Sequence, residues 1–119
     1  MEAEVGSTVH PWYKGIHKWK VNGIAKLSQP IQYDDPSQGK VSYDPKVLLL
    51  GSEKLNKVLW FAYWMATSKT GGKMKWGQGP PMLEQSVLLN LLKEVIKQGF
   101  FTKNFLKELA SELDRALSK

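Results

Sequence analysis

The run VLWFAYWMA, nine uncharged residues from Val58 to Ala66, leaves this 119-residue chain few ways to fold, because protein must cover it on more than one side. Read at about 100° per residue from Ser52, the segment gathers Leu55, Val58, Leu59, Ala62, Met65 and Ala66 on one arc. Lys57, Trp60, Phe61 and Trp64 fall on the opposite arc. That spacing predicts a central helix with an ordinary core face and an aromatic, lysine-flanked second face. Residues 52–81 are then the stretch on which the rest of the chain packs.

The predicted helix runs into a loop that carries Lys69, Lys73, Lys75 and Trp76 among Gly71, Gly72, Gly77 and Gly79. Glycine lets a backbone approach a phosphate closely, lysine supplies a point charge, and an indole supplies a stacking face. SKTGGK has neither the spacing nor the ending of a P-loop.

Charge distribution sharpens this. The formal net charge is +6, and sixteen of the seventeen basic residues are lysine, Arg115 being the exception. Between residues 5 and 33 stand four lysines (14, 18, 20 and 26) and no acid. Between residues 54 and 83 stand five (54, 57, 69, 73 and 75), again with no acid, whereas residues 84–119 hold six basic and five acidic groups. Positive charge is concentrated where the aromatics are, the footprint of a polyanion binder. Lysine in place of arginine favours phosphate contact over bidentate reading of bases.

From Val9 the chain reads VHPWYKGIHKWKVNGIAKLSQPIQYDD, with turn residues at Gly15, Asn22-Gly23 and Pro30. Short strands are predicted, with a hairpin turning at Asn22-Gly23. Alternation along residues 16–21 puts Lys18 and Lys20 on one face and His17, Trp19 and Val21 on the other. Trp12, Tyr13 and Lys14 continue the interleaving of bases and aromatics. Asp34 and Asp35 sit in a turn, DDPSQG, and residues 46–50 form a helical turn or a buried strand after Asp44-Pro45. Residues 1–8 are expected to be a flexible arm.

A second helix is expected from Pro80-Pro81 to Gln98, stopped by Gly99, and a third from Lys103 to about Leu117 with Thr102 as its N-cap. Residues 82–98 and 103–117 are expected to close as an antiparallel hairpin that completes the core or carries a homodimer interface. The fold class is therefore α+β in one domain, 1–119: three or four short antiparallel strands packed on the aromatic helix and the helical hairpin.

Catalytic motifs are lacking. His10 and His17 are the two histidines, seven residues apart, and a ribonuclease-like exchange of protons between them is a minor alternative to a non-enzyme. Without cysteine the chain offers neither disulfide nor thiolate metal ligand, and no metal or cofactor is expected. The apolar run is too short to span a bilayer, the N-terminus lacks a signal-peptide pattern, and a cytoplasmic location is the expectation. The expected function is binding of single-stranded nucleic acid with little sequence preference. Trp12, Tyr13, Trp19, Trp60, Trp64 and Trp76 are the candidate stacking groups. Lys14, Lys18, Lys20, Lys57, Lys69, Lys73 and Lys75 are the candidate phosphate contacts. The alternative is a homo-oligomeric assembly protein that uses the helical hairpin and takes no nucleic acid.

Overall fold

A computed structural model describes residues 3–77, 79 and 81–119. It shows an α+β fold, a curled antiparallel sheet followed by two helices. The strands are β1 (Thr8–Val9), β2 (Trp19–Lys26), β3 (Ile31–Asp35), β4 (Gly39–Gly51), β5 (Val58–Ala66) and β6 (Lys75–Trp76). The helices are α1 (Gln85–Lys97) and α2 (Lys103–Leu117). Strand order is β1-β2-β4-β5-β6, and β3 pairs with the first half of β4.

The central aromatic helix is not formed. Residues 58–66 are β5, paired with β4 from Leu50↔Val58 to Ser42↔Ala66. The physical reason is two-sided burial: a strand covered on both faces reads as an unbroken apolar run, and periodicity alone cannot separate it from a buried helix. Branched and aromatic side chains over nine residues favour the strand. As a strand, β5 sends Trp60, Ala62 and Trp64 to one side and Leu59, Phe61, Tyr63 and Met65 to the other.

Each side has its own core. On the tryptophan face, Trp19, Val21, Leu48, Leu50, Ala62 and Trp64 are sealed, with Val9, Ile16, Trp60 and Met74 packed against them. On the helix face, Ala25 and Val47 meet Leu91 and Val95 of α1 and Phe100 beyond it. Lys46 and Asp44 are both buried on the tryptophan face, 3.3 Å apart, and the Lys46 ammonium lies 5.0 Å from the Trp64 ring centroid.

β4 is a single thirteen-residue strand, which decides residues 46–50 as strand and continues unbroken back to Gly39. It serves two partners along one edge, β3 up to Tyr43 and β2 from Lys46. Pro45, with no N–H to give, stands at the gap between them.

The Asn22-Gly23 hairpin is a second correction. Both residues lie inside β2, at an irregularity in its register with β4 between Val21 and Gly23. Glycine is needed there for close approach, because a Cβ would stand 2.7 Å from Cε1 of Phe100. The two-residue turn is instead Lys14-Gly15, at φ 51° and 79°, closed by reciprocal bonds between Tyr13 and Ile16.

Ahead of β1, among the described residues, the Gly6 N–H donates to the Val21 carbonyl and the Val21 N–H to that of Ser7, while Ala3 packs on the core. At the other end, α1 stops as expected. Gly99 takes φ 74°, the Phe100 N–H donates to the Val95 carbonyl and the Gly99 N–H to that of Ile96. Thr102 caps α2 by accepting from the Phe105 N–H at 3.2 Å. The expected start of the second helix at Pro80 lies outside the described residues, and α1 begins at Gln85. The expected hairpin does not close over the core. α1 lies on β2 and β4, but no residue of α2 is buried.

Asp35 makes the β3–β4 turn. Its Oδ1 accepts from the Ser37 hydroxyl, the Ser37 N–H and the Gln38 N–H, and these bonds hold its carboxyl below the usual value of 3.8. A lowered carboxyl stabilises the fold above the unfolded pKa and loses that effect as pH falls through the folded one. Asp35→Ala is therefore expected to melt earlier than the parent at pH 7, with the gap closing in acid, by thermal melts across pH 7 to 2. Gly23→Ala should cost about 1–3 kcal/mol in denaturant unfolding, by displacing the Phe100 ring.

Candidate functional site

A concavity of about 700 Å³ opens where the start of β2 meets the turn between β4 and β5. Its walls include Lys18 just before β2 and Lys20 within it, Lys54 and Glu53 from the turn, and His17, Asn22 and Asn56. Three lysines against one glutamate leave the groove two charges positive with histidine neutral. Lys18 and Lys20 face it because β2 alternates as its sequence implies, Trp19 and Val21 inward and the lysines outward. The floor is close-set: a Cβ on Gly51 would stand 2.7 Å from Nδ2 of Asn22 and 2.8 Å from Oδ1 of Asn56.

Trp12 stands beside this groove. Its indole is 72% exposed and stacks on the His17 ring at 4.2 Å between centroids and 20° between planes. The support comes from inside. Trp19 is fully buried, and its Nε1 donates to the carbonyls of Pro11 at 2.9 Å and Ile16 at 3.3 Å, pinning both ends of the turn that carries Trp12, Tyr13 and Lys14. His10 is held as well, its Nδ1 lying 3.0 Å from the His17 carbonyl and its ring 6.3 Å from that of His17. Lys14 extends over the Tyr13 ring at 5.5 Å.

The remaining sequence-derived candidates divide. Trp19 and Trp64 are core, so neither indole is free to stack on a ligand. Trp64 Nε1 has no hydrogen-bond partner among the described residues, and the Lys46 cation over its ring is the electrostatic contact seen there. Trp60 is half-buried beneath Trp76, at 4.6 Å between ring centroids, and Trp76 meets the edge of Trp64 at 5.1 Å. Trp76 keeps 41% of its surface exposed.

Lys69, Lys73 and Lys75 are exposed, the first two on the segment that joins β5 to β6 and the third in β6 next to Trp76. A single 3₁₀ turn, Ser68–Thr70, fixes that segment, and the Ser68 hydroxyl donates to the Gln38 carbonyl at 2.7 Å. The groove takes no lining from residues 69–76. Lys57 is exposed at φ 57° between β4 and β5, also outside the lining.

Two features escaped the sequence reading. The charge pattern does not single out Lys54, because its place in the groove follows from a turn between β4 and β5 that a helix starting after Ser52 would not contain. On the helix face, Tyr33, Tyr43 and Tyr63 with Met65 and Met82 line a smaller hollow of about 320 Å³ next to the start of α1. Burial pushes the Tyr43 phenol above its ordinary pKa, opposed by its bond to the Met82 carbonyl at 3.5 Å. Alternation in a strand, which β5 was not expected to be, is the signal that places Tyr63 beside Tyr43.

Exposed and buried indoles should respond oppositely to truncation. Trp12→Ala is expected to change unfolding free energy by less than about 0.5 kcal/mol, whereas Trp19→Ala should cost about 3–5 kcal/mol, both read from chemical denaturation. Comparison with protein-family models, with curated proteins and with solved structures finds no match to this chain, so the ligand of the groove has to be inferred from its own residues.

Proposed function

We propose that this protein binds single-stranded nucleic acid with little sequence preference, through the groove between the start of β2 and the β4–β5 turn. The observation that carries the reading is the juxtaposition of an exposed indole, Trp12 on His17, with Lys18, Lys20 and Lys54. A phosphate backbone tracks the lysines and an unpaired base stacks on the indole, a combination that reads no sequence because every base has a π-face. Lys69, Lys73 and Lys75 with Trp76 supply a second contact set of the same chemistry on the β5–β6 segment. Neither helix offers a uniformly basic face for a duplex groove, since residues 84–119 are nearly charge-balanced.

Titration of tryptophan emission with oligo-dT, oligo-U and a duplex at two salt concentrations tests this. Single strands are expected to quench emission and the duplex to bind more weakly. Replacing Lys18, Lys20 and Lys54 together by alanine should leave the melting temperature nearly unchanged. The same change should flatten the dependence of log affinity on log salt by about 2, at about 0.7 per neutralised phosphate. Trp12→Ala should cost about 1–3 kcal/mol of binding and remove most of the quench. Unaltered affinity in both variants would exclude the groove.

A further inference from the structure

On the helix face, next to the start of α1, strand alternation brings three phenol rings to one hollow of about 320 Å³: Tyr33 from β3, Tyr43 from β4 and Tyr63 from β5. Tyr43 stands directly opposite Met65 in the register, and the Tyr43 and Tyr63 ring centroids lie 5.0 Å apart at 37°. These walls are built into the sheet. The Gly77 N–H donates to the Tyr63 carbonyl at 2.8 Å, and a Cβ on Gly77 would run into the Tyr63 ring, so the backbone there rests against it. Met82 and Glu84, just ahead of α1, supply the rim, with the Met82 carbonyl 3.5 Å from the Tyr43 hydroxyl.

The chemistry of this lining is one-sided. Among the described residues, no side chain in it carries a nitrogen, although seventeen residues of the chain are lysine or arginine. Its polar side-chain atoms are three phenol oxygens, two thioether sulfurs and the Glu84 carboxylate, and the rest is carbon. Aromatic rings have a negative face, so rings, lone pairs and carboxylate together favour a cation and disfavour an anion. The positive end of α1, which begins at Glu84, offsets about half of that carboxylate charge and leaves the balance negative. A bare ammonium would exchange strongly held water for a mostly carbon wall. An ammonium wrapped in methyl groups gives up far less, which is why aromatic surroundings select it.

We propose that this hollow binds a quaternary ammonium group, held against the phenol rings of Tyr33, Tyr43 and Tyr63 with Glu84 as its counter-charge. Its volume lies at the small end of ligand pockets, which suits so compact a cation. The hollow shares no lining residue with the basic groove, so it stands or falls independently of the proposed function.

Choline is the probe, titrated between about 0.1 and 50 mM at constant ionic strength, a range that spans millimolar affinity. With the methionine methyl groups isotopically labelled, the Met65 and Met82 resonances are expected to shift, while Met74, packed on the tryptophan face, stays in place. The neutral isostere of choline, with a tert-butyl group in place of the trimethylammonium, should bind about fivefold more weakly or worse. Tyr33→Leu should weaken choline by about two- to fivefold and leave the isostere unchanged, whereas Tyr33→Phe keeps the ring and retains both. Tyr33 is half-exposed, so neither variant should disturb the fold. Glu84→Gln should weaken choline about twofold, with the difference shrinking at high salt. Flotation with phosphatidylcholine vesicles that Tyr33→Leu abolishes assigns the ammonium to a lipid headgroup, and its absence assigns it to a free ion. Unmoved Met65 and Met82 resonances at the top of the choline range overturn the proposal, as does an isostere that binds as tightly as choline.

Discussion

The fold depends on β4 and β5 being buried on both faces. Leu48, Leu50 and Trp64 are sealed on one side and Val47 on the other, and their shared backbone ladder holds the two cores back to back. Each large side chain buried this way contributes about 1.5–3 kcal/mol relative to exposure. The price is paid locally by Lys46 and Asp44, charged groups taken out of water within the same ladder. Such a pair adds little net stability, but it opposes slippage. A one-residue shift of β4 would carry both groups under α1 and away from the Trp64 ring.

The groove is a product of that interior. Trp19 reaches outward from the core through its indole N–H to hold the turn ends at Pro11 and Ile16, so the exposed pair Trp12 and His17 rests on a buried anchor. Lys18 and Lys20 face outward because Trp19 and Val21 face inward. Positioning and binding are divided between alternate residues of one strand.

Much of this was legible in the residues. The inward and outward split of β2, the stop at Gly99 and the cap at Thr102 each follow from a local rule with one physical outcome. β5 does not, because an apolar run of its length satisfies a helix and a doubly buried strand equally, and the choice depends on pairing with β4 and on cover from α1, which the run itself does not encode. Asn22-Gly23 misled for a related reason. The dipeptide carries a hairpin signal, but Gly23 serves the Phe100 ring seventy-seven positions later, a contact invisible to any local window. Of the five tryptophans, burial separates Trp19 and Trp64 from the others, and that separation depends on register.

Because β4 joins β3, β5 and β2, the order in which the sheet assembles is constrained. The β3–β4 and β4–β5 pairings close short loops, whereas bringing β2 to β4 encloses all of β3 and carries a larger loss of chain entropy. The pairing of β2 with β4, which brings the N-terminal turn with it, is the entropically costlier of these closures. The groove walls come from the start of β2 and from the β4–β5 turn, so the closure that completes both cores with Trp19, Val21 and Ala25 is also the one that brings the basic cleft together.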